Sequence, residues 1–449
     1  MVAILCYQHL KRFNPTSVKK NLMDKKKVLI IAYYWPPAGG PGVQRWLKFI
    51  KYLPEFDIEP IVYIPSNPNY PIIDDSLVAE IPAGLTILKQ PIAEPYKLAN
   101  KISKGKSATI SKGIIPDKKR QSVMERLMLF VRGNFFIPDA RKNWVKPSVN
   151  YLTTYIRDYS IDTIITTGPP HSLHLIGEQL KRNLDIKWIA DFRDPWTTIS
   201  YHKKLKLMPM ARKKHKDLEA LVLNTADIIV VTSNNTKKNF ASLTEQPIEV
   251  ITNGYDYEAV EKVVLDEKFS LSHIGSLLSE RNPEVLWKVL DELVTDDKVF
   301  ASMLELNFVG SVSKDVLRSL EEHNLSQYAK LKAYVSHVEA IKHQQKSQVL
   351  LLIEIDSEDT KCIIPGKLFE YMVSNRPILG IGPKGSDVSD ILRATNTGNY
   401  FLYNEQDAIK EAIIDMFQAF RSGDLKSNAI GLQQYSRKNL TSKLAKLIN

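Results

Sequence analysis

Residue types able to do chemistry collect in a few short runs, each where an apolar stretch breaks. IKWIADFRDPWTT (186–198) places Asp191, Arg193 and Asp194 at the end of an apolar run, with Trp196 beside them. Two carboxylates flanking a guanidinium can orient a sugar hydroxyl, stabilise a developing cation or hold a base. The same trio also reads as a self-compensated, salt-bridged loop anchor. DTIITTGPPHSLHLIG (162–177) breaks at Gly168, Pro169 and Pro170, and His171 opens the helix that follows. A histidine at a helix start can bind a ligand, shuttle a proton or serve as a partly exposed cap. In WPPAGGPGVQR (35–45), Gly39, Gly40 and Gly42 let the backbone turn tightly and approach a ligand. The next helix aims its free N–H groups at the same place, and Gln44 and Arg45 on its first turn can reach there. Glycine–proline clusters also serve as ordinary turns.

Two further runs lie in the second half. CIIPGKLFEYMVSNRPILGIG (362–382) starts a helix at Gly366, Lys367 and Leu368, where a lysine and free amides suit a diphosphate. Glu370, one turn in, can accept hydrogen bonds from ribose hydroxyls. HIGSLLSERNPEVL (273–286) offers Gly275 after a strand and Arg281 before a helix, and the guanidinium fork suits phosphate.

The elements that must position these residues alternate in type. KVLIIAY, PIVYIP, LTILKQ, DTIITT, IKWIADF, DIIVVTS and IEVIT read as strands. Continuous apolar runs bounded by polar residues mark strands buried on both faces of a parallel sheet. Helical spacing follows the first of them at Trp46, Leu47, Ile50 and Leu53. The pattern restarts after NGYDYEAV, with FSLSHIG, LELNFVG, AKLKAYV, QVLLLIEI and RPILGIG as strands. Leu286, Val289, Leu290 and Leu293 mark a helix among them; Ile409, Ile413, Met416, Phe417 and Phe420 mark a late one, and Leu440, Leu444 and Leu447 a terminal one. Repeated βαβ units predict two doubly wound α/β halves. In such sheets ligands bind at the carboxyl ends of the strands, where these runs fall.

The predicted organisation is a disordered or artefactual lead over 1–24, two Rossmann-like domains over 25–260 and 261–430, and a C-terminal helix over 431–449. A basic helical insertion is expected at about 97–146, where strand signals vanish. It and YHKKLKLMPMARKKHK (201–216) read either as solvated faces or as surfaces for anionic membrane or a lipid-pyrophosphate acceptor.

The chain has 449 residues, 61 Lys+Arg against 50 Asp+Glu, and a formal charge of +11. That balance favours anionic partners without choosing among them. Two cysteines, Cys6 and Cys362, give no disulfide framework or zinc-ligand spacing and suit a reducing, cytoplasmic setting. No run has the length of a membrane span. No nucleic-acid-binding signature appears, so no nucleic-acid partner is expected. No paired aspartates stand at a strand end in the second half, so no metal is expected. The dinucleotide fingerprint GxGxxG is missing, which argues against a nicotinamide dehydrogenase.

The ordered set GGPGVQR, ADFRDPW, NGYD, HIGSLLSERNP and PGKLFEYMVSNRPILG resembles the family-4 glycosyltransferases of GT-B fold, over most of the chain from Lys27 onward. The resemblance implies two Rossmann-like domains facing across a cleft, an acceptor domain over 25–260 and a nucleotide-sugar domain over 261–430, with a crossover helix over 431–449 returning to the first. It implies transfer of a sugar from a nucleoside-diphosphate sugar, a co-substrate and not a cofactor, to a glycan or lipid-linked acceptor, with retention of configuration. The family's diphosphate clamp maps onto Arg281 and its nucleotide-side glutamate onto Glu370. A second family glutamate, which holds the donor sugar, is replaced near Cys362. Asp191, Arg193, Asp194 and His171 are then the catalytic candidates. Gly39, Gly40, Gly42, Gly275, Arg281, Gly366, Lys367, Leu368 and Glu370 are the donor-side ones. Other readings are a sugar-nucleotide epimerase or phosphorylase-like enzyme of the same fold, and a non-catalytic sugar-nucleotide-binding partner in polysaccharide assembly. The setting expected for the transferase is the cytoplasm, at the inner face of the membrane.

Overall fold

The computed structural model describes residues 25–94, 123–199, 202, 205–256 and 263–449. The expected lead, the first part of the basic insertion and the centre of the predicted domain junction lie outside these residues.

The first sheet holds β1 (Lys26–Ile31), β2 (Ile58–Pro65), β3 (Thr86–Gln90), β4 (Thr163–Gly168), β5 (Lys187–Phe192), β6 (Ile228–Val231) and β7 (Ile248–Val250). Their order is β3-β2-β1-β4-β5-β6-β7, with parallel pairing throughout. The second sheet holds β8 (Phe269–Ile274), β9 (Leu304–Val309), β10 (Ala329–Lys332), β11 (Val349–Ile353), β12 (Ile378–Gly382) and β13 (Gly398–Leu402). Its order is β10-β9-β8-β11-β12-β13, again all parallel. Each order reverses beside the first strand of its half, which opens a crevice at the carboxyl ends.

The helices that matter below are α1 (Pro41–Tyr52), α2 (Val123–Phe135), α3 (Val145–Asp158), α4 (Ser172–Asn183), α5 (Pro209–Thr225), α6 (Asn234–Ala241), α7 (Glu284–Asp296), α8 (His337–Lys346), α9 (Lys367–Met372), α10 (Asp387–Thr395), α11 (Gln406–Ser422) and α12 (Arg437–Ile448). Separate buried clusters cover the two faces of each sheet. In the first half, Leu29, Ile164, Leu173 and Trp188 lie on one side, and Val28, Trp46, Ile50 and Ile165 on the other. In the second, Leu271, Trp287 and Phe417 oppose Leu350, Phe369 and Leu392. Sheets covered on both faces explain why their strands read as unbroken apolar runs.

Helix α12 crosses back: Leu440, Leu444 and Ile448 join the α1 face of the first half. The two halves are also tied at α6. Asp387 of α10 accepts from the first two amides of α6, Asn234 N at 3.0 Å and Asn235 N at 3.1 Å, and from Asn235 Nδ2 at 2.8 Å. A carboxylate there meets both the unpaired amides and the positive end of the helix. Of the basic insertion, the described part forms α2, a short turn at Lys142–Trp144 and the start of α3. Among the described residues, no helix is long and apolar enough to cross a membrane.

Candidate functional site

Strand β5 ends at Asp191 and Phe192, and the following loop carries Arg193, Asp194 and Trp196. The three charged residues have different fates. Asp191 is 1% exposed. Its Oδ1 accepts from Arg45 Nη2 at 2.9 Å, and its Oδ2 accepts from Trp46 Nε1 at 2.9 Å and Thr167 Oγ1 at 2.8 Å. The carboxylate is consumed in locking α1 to the sheet and cannot touch a substrate. Asp191 is therefore an anchor, which corrects its place among the catalytic candidates. Arg45 is corrected with it. The side chain is fully buried, and its second fork nitrogen donates to the Thr252 carbonyl at 2.8 Å.

Arg193 turns toward the start of α1. Its guanidinium lies against Gly42, where a Cβ would fall 1.5 Å from Nη1, so glycine is required for that approach. Arg193 also donates to the Pro169 carbonyl, and among the described residues its Nε has no hydrogen-bond partner. Asp194 is half-buried, and among the described residues its carboxylate accepts no hydrogen bond. Burial pushes its pKa up against the opposing charge of Arg193. It also sits near Cys362 of the second half, whose thiol it helps to raise.

His171 is the N-cap of α4, but it is not the partly exposed cap considered from the sequence. It is 5% exposed and stacked on Trp196 at 4.8 Å and 2°, and among the described residues neither ring nitrogen has a hydrogen-bond partner. Burial, with His174 beside it, depresses its pKa well below the ordinary value. A neutral imidazole beyond the carboxyl end of a strand can accept or pass on a proton.

The glycines after β1 divide their work. Gly39 donates to Ile72 O at 3.0 Å and packs so closely that a Cβ would meet Ile72 at 3.0 Å. That close packing is what glycine serves at this position. Gly40 has φ of 108° and open space around it at the N-cap of α1.

In the second half, Gly275 follows β8 with φ of 118°, and a Cβ there would lie 2.8 Å from Lys367 Nζ. Lys367 donates to His273 Nε2 at 3.1 Å, and His273 Nδ1 faces the Leu351 carbonyl at 3.1 Å. That carbonyl holds the imidazole proton on Nδ1 and turns the Nε2 lone pair to the lysine. Burial, reinforced by the charge of Arg281, brings the Lys367 pKa down to about 7. Arg281 contributes a second cation, and among the described residues its Nε has no hydrogen-bond partner. Leu368 is corrected: its side chain is fully buried in the core, and its amide returns to Pro365 O at 3.0 Å. Gly366 is the N-cap of α9 and accepts from the Phe369 amide at 3.3 Å.

Glu370 stands over a cavity of ≈ 670 Å³ lined from both halves, by Gln44, Asp256, Gln344 and Arg437 among others. His337 Nε2 meets Glu370 Oε1 at 2.9 Å, and Gln344 Nε2 donates to Oε2 at 2.8 Å. Burial raises the carboxyl, but the hydrogen bond and charge of His337 outweigh it and hold the pKa below the ordinary value. Arg437, 5% exposed, also lines this cavity, and among the described residues its Nη1 has no hydrogen-bond partner.

Glu354, just past β11, was missed. It is buried and accepts from Ser386 Oγ at 2.8 Å and Tyr400 Oη at 2.6 Å. Burial raises its pKa to about 7 against those bonds and the charge of Arg281. The signal was present: an acidic residue ending the apolar run QVLLLI. Among the described residues, no group of three or more His, Cys, Asp or Glu is arranged to hold a metal.

Two parallel sheets with clustered polar groups at their carboxyl ends, joined by a returning C-terminal helix, can be set against known proteins. Residues 115–259 match the model of Glycosyltransferase Family 4. The fold is GT-B, and the family it resembles is glycosyltransferase family 4. Among solved structures, a glycosyltransferase from Rickettsia africae is 14% identical with a TM-score of 0.55, covering 95% of this chain and 98% of that one. A variant of S. aureus TarM in complex with Fondaparinux, alpha-GlcNAc-glycerol and UDP is 13% identical with a TM-score of 0.55, covering 94% and 100%. A Listeria monocytogenes protein described as a UDP-N-acetylglucosamine 2-epimerase is 12% identical with a TM-score of 0.53, covering 94% and 96%. At these identities the likeness is one of GT-B fold. No curated protein matches the chain by sequence.

Proposed function

We propose that this GT-B protein transfers a sugar from a nucleoside-diphosphate sugar to a hydroxyl of a glycan or lipid-linked acceptor, with retention, in surface polysaccharide or glycoconjugate synthesis at the cytoplasmic face of a membrane. One observation carries the reading. Lys367 lies against Gly275, and burial first, then the charge of Arg281, brings its pKa down to about 7. A diphosphate seated there meets both cations and offsets the cost of the buried ammonium.

On this reading Lys367 and Arg281 hold the diphosphate and stabilise it as it leaves, and Glu370 holds the ribose. The first half presents Asp194 and His171 to the acceptor. Retention without a protein nucleophile fits a departing diphosphate that takes the acceptor proton. Across the halves, Asp194 lies near Cys362, so a sugar seated on the diphosphate meets groups from both sides. Contact with an anionic membrane through the basic segments belongs to the same reading.

The test is a panel of nucleoside diphosphates and their sugars, scored by thermal stabilisation. Ligand at about 100 times its dissociation constant raises stability by about 2.7 kcal/mol. The best donor is then incubated with and without glycan or polyprenyl-phosphate acceptors. Acceptor-dependent release of the nucleoside diphosphate supports transfer. Conversion of the donor sugar without acceptor makes the protein an epimerase. Binding with no turnover under either condition makes it a non-catalytic partner.

A further inference from the structure

One face of the first half combines exposed apolar side chains with a field of positive charge. Helix α2 carries Leu127, Val131 and Phe135 at a spacing of four, so they form one stripe. Leu127 is 54% exposed and Phe135 59% exposed, while Leu129 faces inward and is buried. Beside the stripe runs the segment entering α5, where Met208 is exposed and Met210 is 85% exposed. The two segments are fixed to each other. Asn134 Nδ2 donates to Lys206 O at 2.9 Å, and the Met208 amide donates to Asn134 Oδ1 at 2.7 Å. Gly133 permits the approach, since a Cβ there would lie 2.7 Å from Leu207 Cδ2. Both segments leave their large apolar side chains in water, although each is otherwise well hydrogen-bonded.

The exposed side chains described around the apolar ones are mostly basic. Lys206, Arg212, Lys213, Lys214 and Lys216 are exposed on the second segment, and Arg126 on the first. Within 205–217 the only acidic residue is Asp217, and it is paired to Lys213 at 2.7 Å. An apolar stripe bordered by lysine and arginine is the pattern of a helix lying in the headgroup region of a negatively charged bilayer.

We propose that this face docks the protein on an anionic lipid bilayer. Leu127, Val131, Phe135, Met208 and Met210 enter the boundary between headgroups and acyl chains, and the surrounding lysines and arginines meet lipid phosphates. The proposal rests on the membrane contact in the functional reading above, and it gives that contact a place. The same face backs directly onto the acceptor-side cluster. Four residues beyond Phe135, Asp139 accepts from the Ser172 amide at 2.9 Å and from Ser172 Oγ at 2.6 Å, at the start of α4 beside His171. Trp196, stacked on His171, donates to His215 Nδ1 at 3.2 Å, and His215 lies on α5 behind the basic stretch. Docking here brings His171 and Asp194 close to the bilayer, where a lipid-linked hydroxyl is found.

The test is co-sedimentation of the full chain with vesicles of phosphatidylcholine alone and of phosphatidylcholine with about a third phosphatidylglycerol. The wild-type protein is expected to bind the anionic vesicles, with binding falling steeply as salt shortens the screening length. F135S/M210S is expected to lose about tenfold or more in partition coefficient, and K213Q/K214Q/K216Q a similar factor together with most of the salt dependence. All substituted side chains are exposed, so melting temperature and UDP binding serve as checks that fold and donor site persist. Equal binding to neutral and anionic vesicles overturns the proposal, as does unchanged anionic binding by F135S/M210S. Absence of vesicle binding with capture of soluble polyglutamate assigns the face to an acidic protein and also overturns it. Intact UDP binding in a protein that ignores vesicles leaves the transfer reading standing and removes only this surface.

Discussion

Replacing Lys367 with methionine should strengthen the fold and weaken the donor site at once. The ammonium sits beside His273 and near Arg281, and its pKa falls from the ordinary 10.5 to about 7. That difference places a penalty of about 5 kcal/mol on the charged form as a ceiling. The side chain is only half-buried, so solvent screening reduces the figure to about 2 kcal/mol. The sign follows from proton counts. Between about pH 7 and 10.5 the unfolded chain holds the proton that the folded chain has lost, so stability rises with pH across that window. The penalty is in full force below about pH 7. Methionine has a similar length and no charge, so Lys367→Met should raise stability by about 2 kcal/mol near pH 6, with the advantage vanishing near pH 10. A charge-assisted hydrogen bond to diphosphate is worth about 1.5–3 kcal/mol, so UDP affinity should fall roughly 10- to 100-fold. In the wild type, a bound diphosphate favours the protonated lysine, so UDP affinity should decline as pH rises past about 7, and Lys367→Met should flatten that decline. Urea midpoints at the two pH values and calorimetry with UDP read all three effects. A variant that is less stable at acid pH, or that binds UDP normally with the same pH profile, refutes the reasoning.

The remaining predictions separate anchors from working groups. Asp191→Asn strands the buried Arg45 guanidinium and should cost about 3–5 kcal/mol of stability; an unshifted melting curve removes the anchor assignment. Asp194→Asn should leave melting and UDP affinity nearly unchanged while cutting turnover by about a hundredfold, or about 2.7 kcal/mol; full turnover removes Asp194 from the chemistry. Glu370→Gln should weaken UDP while leaving inorganic pyrophosphate binding intact, since its contact is assigned to ribose; equal losses for both ligands place it elsewhere. Asp387→Asn removes the charge that caps α6 from the other half, worth about 0.3–1 kcal/mol. It should enlarge the radius of gyration in small-angle scattering before it lowers the melting temperature, and an unchanged radius at equal stability argues that other contacts hold the halves together.

The sheet architecture was legible because parallel strands covered on both faces need continuous apolar runs. Each of the runs singled out as a strand is one, within a few residues at its ends. The strand that escaped, β13, shows why: GNYFL lies at a sheet edge, only partly buried, and carries too little apolar sequence to stand out. The candidate ligand loops were legible for a related reason, since glycine, proline and charge abruptly follow each buried run. Composition and local pattern thus located the polar groups at the strand ends, without saying which of them are free to act.

That choice belongs to partners far away in the chain. Asp191 and Asp194 are three positions apart and of one residue type, yet Asp191 is spent on Arg45 and Trp46, about 145 residues earlier, while Asp194 accepts no hydrogen bond among the described residues and lies near Cys362 of the second half. Gly39 and Gly42 looked equivalent until one met Ile72 and the other Arg193. Glu354 stands in the sequence as an acid ending an apolar run, but only Ser386 and Tyr400 closing around it show how its charge is held. Whether a polar group is satisfied, and at what cost its charge is held, depends on which distant atoms fill the few ångströms around it. Local sequence fixes the strand and the type of residue at its end, and tertiary packing assigns that residue its partners and therefore its work.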